Sequence, residues 1–551
     1  MSGPVLVCGM GNVGWRIVQL LRRLGEGVVV VTRETRAEWL HAAQADGIAV
    51  VQGDARDEAL LEQAGIGRAQ ALIAATDHDP TNIEIALDAK RVRPGLPVVV
   101  RLFDQHLARQ MESGFDLRRA LAVSGLAAPS FAAAALGERW IGAFALDGAE
   151  FVVGKVAFEG ALGPGELTAN HGLLAVATEE REEGARATVV GRRSDWERWV
   201  WGEEGRPDAP ARSRGRLRAV LDALRPSLWL GYARRIWRDT PLPLRSAFVV
   251  LNVIIALSVL VFRSLLGLTL VDALYYSVTT VATGAPSDIA PRGAGIAIKL
   301  YACFVMLLGS AVIAILYSII TDFLVTARFR QLLGRERIPE KGHVVVAGLG
   351  NVGYRVVQEL KRAGAPVVAI ERDAAGEFVD AVRSMAPVVI GDARIADTLS
   401  KAGAAKADAI VAAIDDDAFD LGIALAARAL NPRARIVTRV FDADFARKIQ
   451  AAFQVEAALS PGLMAAPTFV AAALYPGVLA AFVQGRRLFV VLRRARPDDW
   501  QGLTPSQLAT GAGVQVLLRR PGGVGEPSLG GGEQPIAADE EIVAVVSREL
   551  N

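Results

Sequence analysis

Two uncharged runs limit what this chain can fold into: residues 246–262, between Arg245 and Arg263, carry no charge, and neither do residues 300–321, between Lys299 and Asp322. Each run is long enough to cross a bilayer, which takes about 17 to 25 apolar residues. The segment between them, Val271-Asp-Ala-Leu-Tyr-Tyr-Ser-Val-Thr-Thr-Val-Ala-Thr-Gly-Ala-Pro-Ser-Asp288, is too short and too polar for a third crossing. It reads as a re-entrant half-helix from Asp272 to Ala282 followed by non-helical backbone. Such backbone must be buried in protein or line water, because lipid cannot satisfy its amides. Arg234, Arg235, Arg238 and Arg245 precede the first run and Arg328, Arg330, Arg335 and Arg337 follow the second, whereas only Arg263, Arg292 and Lys299 lie between. The positive-inside bias therefore puts both flanks in the cytoplasm and the loop outside.

The flanks are organised by a repeat. Val5-Leu-Val-Cys8 reads as a buried strand, Gly9-Met-Gly-Asn-Val-Gly14 as a turn, the residues to Leu24 as a helix and Val28-Val-Val-Val31 as a second strand. Val344-Val-Val-Ala-Gly-Leu-Gly-Asn-Val-Gly353 repeats the turn, Gly391-Asp-Ala-Arg394 repeats Gly53-Asp-Ala-Arg56, and Ala409-Ile-Val-Ala-Ala-Ile-Asp415 repeats Ala71-Leu-Ile-Ala-Ala-Thr-Asp77. Further on, Thr438-Arg-Val-Phe-Asp442 repeats Val100-Arg-Leu-Phe-Asp104, and Leu463-Met-Ala-Ala-Pro-Thr-Phe469 repeats Leu126-Ala-Ala-Pro-Ser-Phe131 with one insertion. A similarity that keeps its order over most of a domain means that one soluble unit occurs twice. Alternating strands and helices imply an α/β, doubly wound, Rossmann-like parallel sheet in each copy, with ligands at the carboxyl ends of the strands.

A glycine turn that follows a strand and opens a helix leaves free amides where a pyrophosphate would sit. The candidates are Gly9, Gly11, Asn12, Val13 and Gly14 in the first copy and Gly348, Gly350, Asn351, Val352 and Gly353 in the second. The competing reading is a turn needed only for tight packing of strand on helix. Val367-Val-Ala-Ile370 ends at Glu371, where an acid accepts hydrogen bonds from ribose hydroxyls. The first copy has Thr32 there, then Arg33 and Glu34. The second site is therefore expected to take an adenine nucleotide or NAD more readily, and the first to be degenerate or to tolerate a phosphorylated ribose.

With a formal charge of +2 over 551 residues, no bulk attraction to nucleic acid is expected. Cys8 and Cys303 are the only cysteines, which excludes a disulfide framework and suits a reducing compartment. The first residues run straight into a strand pattern and lack the regions of a secretory signal. There is no His-Glu-x-x-His, Gly-x-Ser-x-Gly, phosphate loop ending in Gly-Lys-Ser/Thr, or cysteine pair at metal spacing, so neither an enzyme nor a metal site is expected. His78, between Asp77 and Asp79, either touches a ligand or sits in a solvated loop, and divalent binding at Asp415-Asp-Asp417 is left open.

Asp272-Ala-Leu-Tyr-Tyr-Ser-Val-Thr-Thr280 resembles the pore helix of potassium channels, and the residues after it fall in register with that family's filter. Where the family has Thr-Val-Gly-Tyr-Gly-Asp, this chain has Thr283-Gly284-Ala285-Pro286-Ser287-Asp288. Filter glycines supply the positive φ angles that aim carbonyls inward. Here Ala285 and Ser287 hold those positions, and Pro286 fixes φ near about −65° and removes an amide. A wider, less selective cation pathway is expected, or a loop that conducts poorly or only under some condition. Thr283 is left to form one carbonyl ring, Asp288 is an acidic ring or a hydrogen-bond acceptor for the pore helix, and Gly309 is a gating hinge or a packing glycine.

Each soluble copy resembles the RCK domains, also called KTN or Trk-type domains, which control potassium channels and Trk- and Ktr-type transporters. The likeness rests on the glycine turn, the Gly-Asp-Ala step and the Arg-x-Phe-Asp step. It implies NAD(H) or an adenine nucleotide (ATP or ADP) as a regulatory ligand, with Asp54 and Asp392 at the adenine or its ribose and Arg101 and Arg439 facing the phosphates. For those arginines the alternative is a structural pair with Asp104 or Asp442.

The expected domains are a Rossmann-like lobe (1–135) with a smaller α+β subdomain (136–201), a linker containing a surface or interfacial amphipathic helix (202–240), a two-helix pore domain (241–330), then a second lobe (338–470) and subdomain (471–551). The resemblance implies a nucleotide-gated channel for potassium and other monovalent cations. It would be a homotetramer in the lipid of the plasma (inner) membrane, its eight RCK copies forming a cytoplasmic gating ring. The competing class is a membrane-anchored dinucleotide-dependent oxidoreductase or redox sensor, against which stands the lack of a proton donor or second redox group.

Overall fold

The computed structural model describes residues 3–103, 105–158, 171–181, 184–201, 242–283, 295–332, 338–441, 443–453, 455–495, 498–521, 528–529 and 534–551. The chain divides into two compact units, Met1–Pro210 with Glu336–Asn551, and Ala211–Arg335.

The larger unit holds both repeats. In the first, six strands lie in the order Ala49–Gln52, Val28–Thr32, Val5–Cys8, Ala71–Ala74, Val98–Arg101, Arg119–Leu121. All neighbours are parallel, with Val5 opposite both Val28 and Ala71. The second repeat has the same order, Val388–Ile390, Val367–Glu371, Val344–Ala347, Ala409–Ala412, Arg435–Arg439, Ala457–Leu459, with Val344 opposite Val367 and Ala409. The central strands are unbroken apolar runs because helices cover both faces of the sheet. Strand order reverses beside Val5–Cys8 and beside Val344–Ala347, and an open α/β sheet binds its ligands at that crevice.

The two repeats exchange helices. Val123–Ala135, which follows the first sheet, packs on Asn351–Arg362 of the second copy, and Pro461–Leu474 packs on Asn12–Arg23 of the first. Phe131 is fully buried among Val344, Val356 and Leu360, and Phe469 among Val5, Ile17 and Leu21. Burial of each ring contributes about 1.5–3 kcal/mol. Main-chain ends are tied across as well: Arg435 Nε donates to the Ala135 carbonyl at 2.9 Å, and Arg118 Nη1 to that of Ala473 at 3.1 Å.

Each Rossmann-like part continues into a small antiparallel sheet. The first has the order Trp140–Leu146, Ala149–Phe158, Gly184–Arg192, Leu173–Arg181; the second has Val478–Gln484, Arg487–Ala495, Glu541–Glu549, Val514–Arg520, Ser528–Leu529. They share one core, in which Phe144 stacks on Phe151 and Phe482 on Phe489. Asp147 of the first accepts from Arg493 of the second at 3.1 Å and also pairs with Arg520.

The smaller unit contains the helices Leu242–Leu266, Leu270–Thr283 and Ile296–Leu332. Ser246–Leu266 and Ile296–Ser318 are long and apolar enough to cross a membrane, and most of each faces outward. Their outward side chains, such as Val253, Leu260 and Leu307, are hydrocarbon, the surface a lipid-facing helix needs. The half-helix Leu270–Thr283 is about 21 Å long at 1.5 Å per residue, short of a bilayer core. Phe262 meets Tyr276 edge-on at 4.7 Å and Tyr301 at 5.6 Å, fixing it between the long helices. Ser277 and Thr280 donate to the carbonyls of Ala273 and Tyr276, so their hydroxyls are satisfied within the helix.

A Cβ on Gly309 would stand 2.9 Å from Val281 Cγ1 and 3.2 Å from its backbone, and the helix runs unbroken past this point. Close approach to the half-helix is therefore what a side chain here would prevent. Thr283 closes the half-helix, while Gly284, Ala285, Pro286, Ser287 and Asp288 lie outside the described residues, as does the expected amphipathic helix in 202–240.

Candidate nucleotide site

A cavity of about 1320 Å³ lies at the carboxyl ends of both parallel sheets and is lined by both glycine turns. From the first copy it takes Gly9, Gly11, Asn12 and Val13, and from the second Gly348, Gly350, Asn351 and Val352. Asp54, Arg101, Glu371, Asp392 and Arg439 line it too. Gly14 and Gly353, grouped with the turn from the sequence, do not.

The glycines do different work. Gly9 and Gly348 have φ of 97° and 91°, a region in which side chains are strained. A Cβ on Gly14 would lie 1.9 Å from the Gly9 carbonyl oxygen, and one on Gly353 1.8 Å from that of Gly348. Those four close the turn. Gly11 and Gly350 meet nothing within 4 Å, so packing does not require glycine there. That is the place where a dinucleotide fold needs bare backbone against a pyrophosphate.

Both second strands end in a side chain that holds the turn. Glu371 Oε2 accepts from the Leu349 amide at 2.7 Å, and Oε1 accepts from the amides of Arg372 at 2.8 Å and Asp373 at 3.1 Å. In the first copy Thr32 Oγ1 accepts from Met10 N at 3.3 Å and donates to the Glu34 carbonyl at 2.8 Å.

Asp54 and Asp392 sit at the third-strand ends. A hydrogen-bonded guanidinium, Arg56 at 2.7 Å or Arg394 at 2.6 Å, holds each carboxyl down at about 2, so both are anionic at any physiological pH. The guanidinium of Arg394 lies 3.8 Å above the Phe419 ring.

Arg101 and Arg439 come together from the two copies. Burial lowers the Arg101 pKa, opposed by Asp77 and Asp79 of its own copy and Asp415 of the other. Its Nε has no hydrogen-bond partner among the described residues. Arg439 pairs with Asp415; Asp104 and Asp442, the partners considered from sequence, lie outside the described residues. The guanidinium groups of Arg101 and Arg439 lie 4.9 Å from Phe103 and Phe441.

Each acid of the loop has a structural partner: Asp415 pairs with Arg439, Asp416 caps the next helix through the amides of Ala418 and Phe419, and Asp417 accepts from Phe441 N at 3.0 Å. Among the described residues no group of three or more His, Cys, Asp or Glu side chains is placed to hold a metal. His78 likewise caps a helix, its Nδ1 2.9 Å from Thr81 Oγ1.

Sequence reasoning missed Asn82 and Asp420, which hold matching places in the repeats and are fully buried. The Asn82 amide donates to the carbonyls of Thr76 and Arg101, both at 3.0 Å, and its Oδ1 accepts from Thr76 N at 2.9 Å, joining the fourth strand end to the fifth. Asp420 Oδ1 accepts from Ile414 N at 2.9 Å, Oδ2 has no partner among the described residues, and burial pushes the carboxyl up to about 8. Alignment of the repeats was the signal that could have found the pair.

The TrkA-N domain family matches residues 5–117 and 344–461. Probable potassium channel protein 2 of Methanocaldococcus jannaschii is 26% identical over 223 residues, 39% of this chain and 63% of that protein. Potassium channel protein 1 of the same organism is 24% identical over 199 residues, 35% of this chain and 59% of that protein. The chain thus spans less than two thirds of either relative. Among solved structures, the GsuK channel bound to NAD superposes with a TM-score of 0.51 over 99% of this chain and 77% of its own, at 16% identity, a likeness of fold. Two TrkA-N domains, each a Rossmann-like sheet with a glycine turn at its switch point, thus precede and follow the apolar hairpin in a chain that over part of its length is similar to potassium channel proteins.

Proposed function

We propose that this chain is one subunit of a nucleotide-regulated cation channel of the potassium-channel type, with its TrkA-N domains as the cytoplasmic sensor. The observation that carries the reading is the half-helix Leu270–Thr283 between two helices apolar enough to cross a membrane, in a chain that also holds paired glycine turns on one open cavity. A hairpin of two crossings cannot enclose a water path alone. Four copies around an axis would do so, and the eight TrkA-N domains would then form the ring that reads the ligand.

The relatives named as potassium channels and the NAD bound to the GsuK channel support ion conduction and a dinucleotide or adenine nucleotide, respectively. Glu371 and Asp392 suit the ribose end, the amides at Gly350 the pyrophosphate, and Arg101 and Arg439 the remaining phosphate charge. A ligand moves the pore only by its difference in affinity for two states, typically about 1 to 3 kcal/mol per site. The filter sequence, with proline at the tyrosine position, supports weak discrimination among monovalent cations. The basic residues at the hairpin ends support cytoplasmic placement of both sensors in a plasma (inner) membrane. Catalysis is no part of the proposal.

Reversal potentials of purified protein in planar bilayers, under potassium, sodium and larger monovalent gradients, test it. Cation current with shallow selectivity is expected. Absence of current under every gradient and nucleotide tried overturns it.

A further inference from the structure

The glycine turns share a cavity, but the strand ends beside them carry opposite charge. Positions 371–375 read Glu, Arg, Asp, Ala, Ala, a net charge of −1; the matching positions 32–36 read Thr, Arg, Glu, Thr, Arg, a net charge of +1. An acid at the end of the second strand recognises the two hydroxyls of an adenosine ribose and repels a phosphate on it, whereas a nearby arginine accommodates a 2′-phosphate. We infer that the first copy takes an adenine dinucleotide whose ribose carries a 2′-phosphate, while the second takes one with a free ribose. This deepens the nucleotide reading above and rests on it.

The geometry at the first strand end suits an added phosphate. Thr32 brings no charge, and its hydroxyl is committed to Met10 N and the Glu34 carbonyl. Arg33 is 60% exposed, and the acid nearest its guanidinium, Asp54, is 3.7 Å away and already hydrogen-bonded by Arg56 at 2.7 Å. The Arg36 guanidinium lies over the Trp39 ring, 4.6 Å from its centroid, with Glu38 at 3.8 Å. Arg33, Arg36 and Trp39 all line the cavity, so two guanidinium groups and an aromatic face border the ribose end. In the second copy the corresponding arginine, Arg372, stands between two acids, and the three amides held by Glu371 fix its carboxylate where the phosphate would have to go.

The protein in detergent micelles is titrated calorimetrically with NADPH and with NADH, each copy isolated in turn. Gly350→Asp blocks the second site and Gly11→Asp the first, at positions where a Cβ meets no atom within 4 Å. With Gly350→Asp, NADPH is expected to bind about tenfold or more tighter than NADH, in keeping with a charge-assisted hydrogen bond. Adding Arg33→Ala is expected to remove that preference, and adding Thr32→Glu to reverse it. With Gly11→Asp, NADH is expected to win. NADH binding the first site as tightly as NADPH, or a first site that takes neither while the second takes NADH, overturns the inference and leaves the nucleotide reading in place. No binding of NADPH, NADH or ADP to unmodified protein removes both.

Discussion

At the scale of single residues, Asp420 is the group whose burial has the most measurable consequence. Asn82, its counterpart, donates from its amide to two carbonyls, and a protonated Asp420 offers one donor in the same place. Its folded pKa, about 8 against an ordinary 3.8, means that the folded chain keeps a proton which the unfolded chain loses. That contribution to stability is complete below about pH 4 and fades as pH rises toward 8, by at most ~1.4 kcal/mol per unit. Asp417 is shifted upward as well and adds in the same sense. Asp420→Asn is expected to raise the unfolding midpoint at pH 8 and to flatten its fall between pH 6 and pH 8; superimposable profiles for the two proteins contradict this.

The glycine turn offers a second test at this scale. Gly14→Ala drives a Cβ into the Gly9 carbonyl and is expected to cost about 1–3 kcal/mol of stability, whereas Gly11→Ala is expected to leave the midpoint within about 1 kcal/mol and weaken nucleotide binding instead. Equal loss of stability in both contradicts the division of labour. The sequence showed the glycine spacing plainly, but which glycine closes the turn and which faces the cavity depends on the carbonyl that curls back over it.

At the scale of elements, the exchanged helices explain why two repeats form one body. The repeat around Leu126 and Leu463 was legible, yet two similar helices leave no mark in sequence of which sheet each will cover. Phe469 belongs by sequence to the second copy and is buried against Val5 and Ile17 of the first. Phe469→Ala is expected to cost about 3–5 kcal/mol and to lower a single unfolding transition of both copies. Separate transitions, with the first copy unmoved, contradict the exchange. Residues 1–201 produced alone leave Ile17, Val18 and Leu21 without their cover, and are expected to self-associate on gel filtration. The sequence predicts a half-helix over Asp272–Ala282, and the structure has it over Leu270–Thr283, with Thr269 Oγ1 accepting from the Asp272 amide to cap its start.

At the scale of the whole molecule, the parallel sheets and their order followed from alternation and the repeat, while the sharing of one cavity did not. Asp415 of one copy acts on Arg101 of the other, and Arg36 on Asp417, so filling one turn changes the charge felt at its neighbour. Two ligands of unlike charge on facing sites would give a sensor with two inputs. If the proposed function holds, occupation of this cavity governs an ion path formed by the hairpins. Recording from bilayers that hold either the unmodified protein or the Gly11→Asp, Gly350→Asp double variant, before and after NADH and NADPH are added, tests it most directly. Cation current that changes on addition is expected for the former, and current indifferent to both nucleotides for the latter. Nucleotide binding to the unmodified protein with no change in current, or an undiminished response in the double variant, would contradict it.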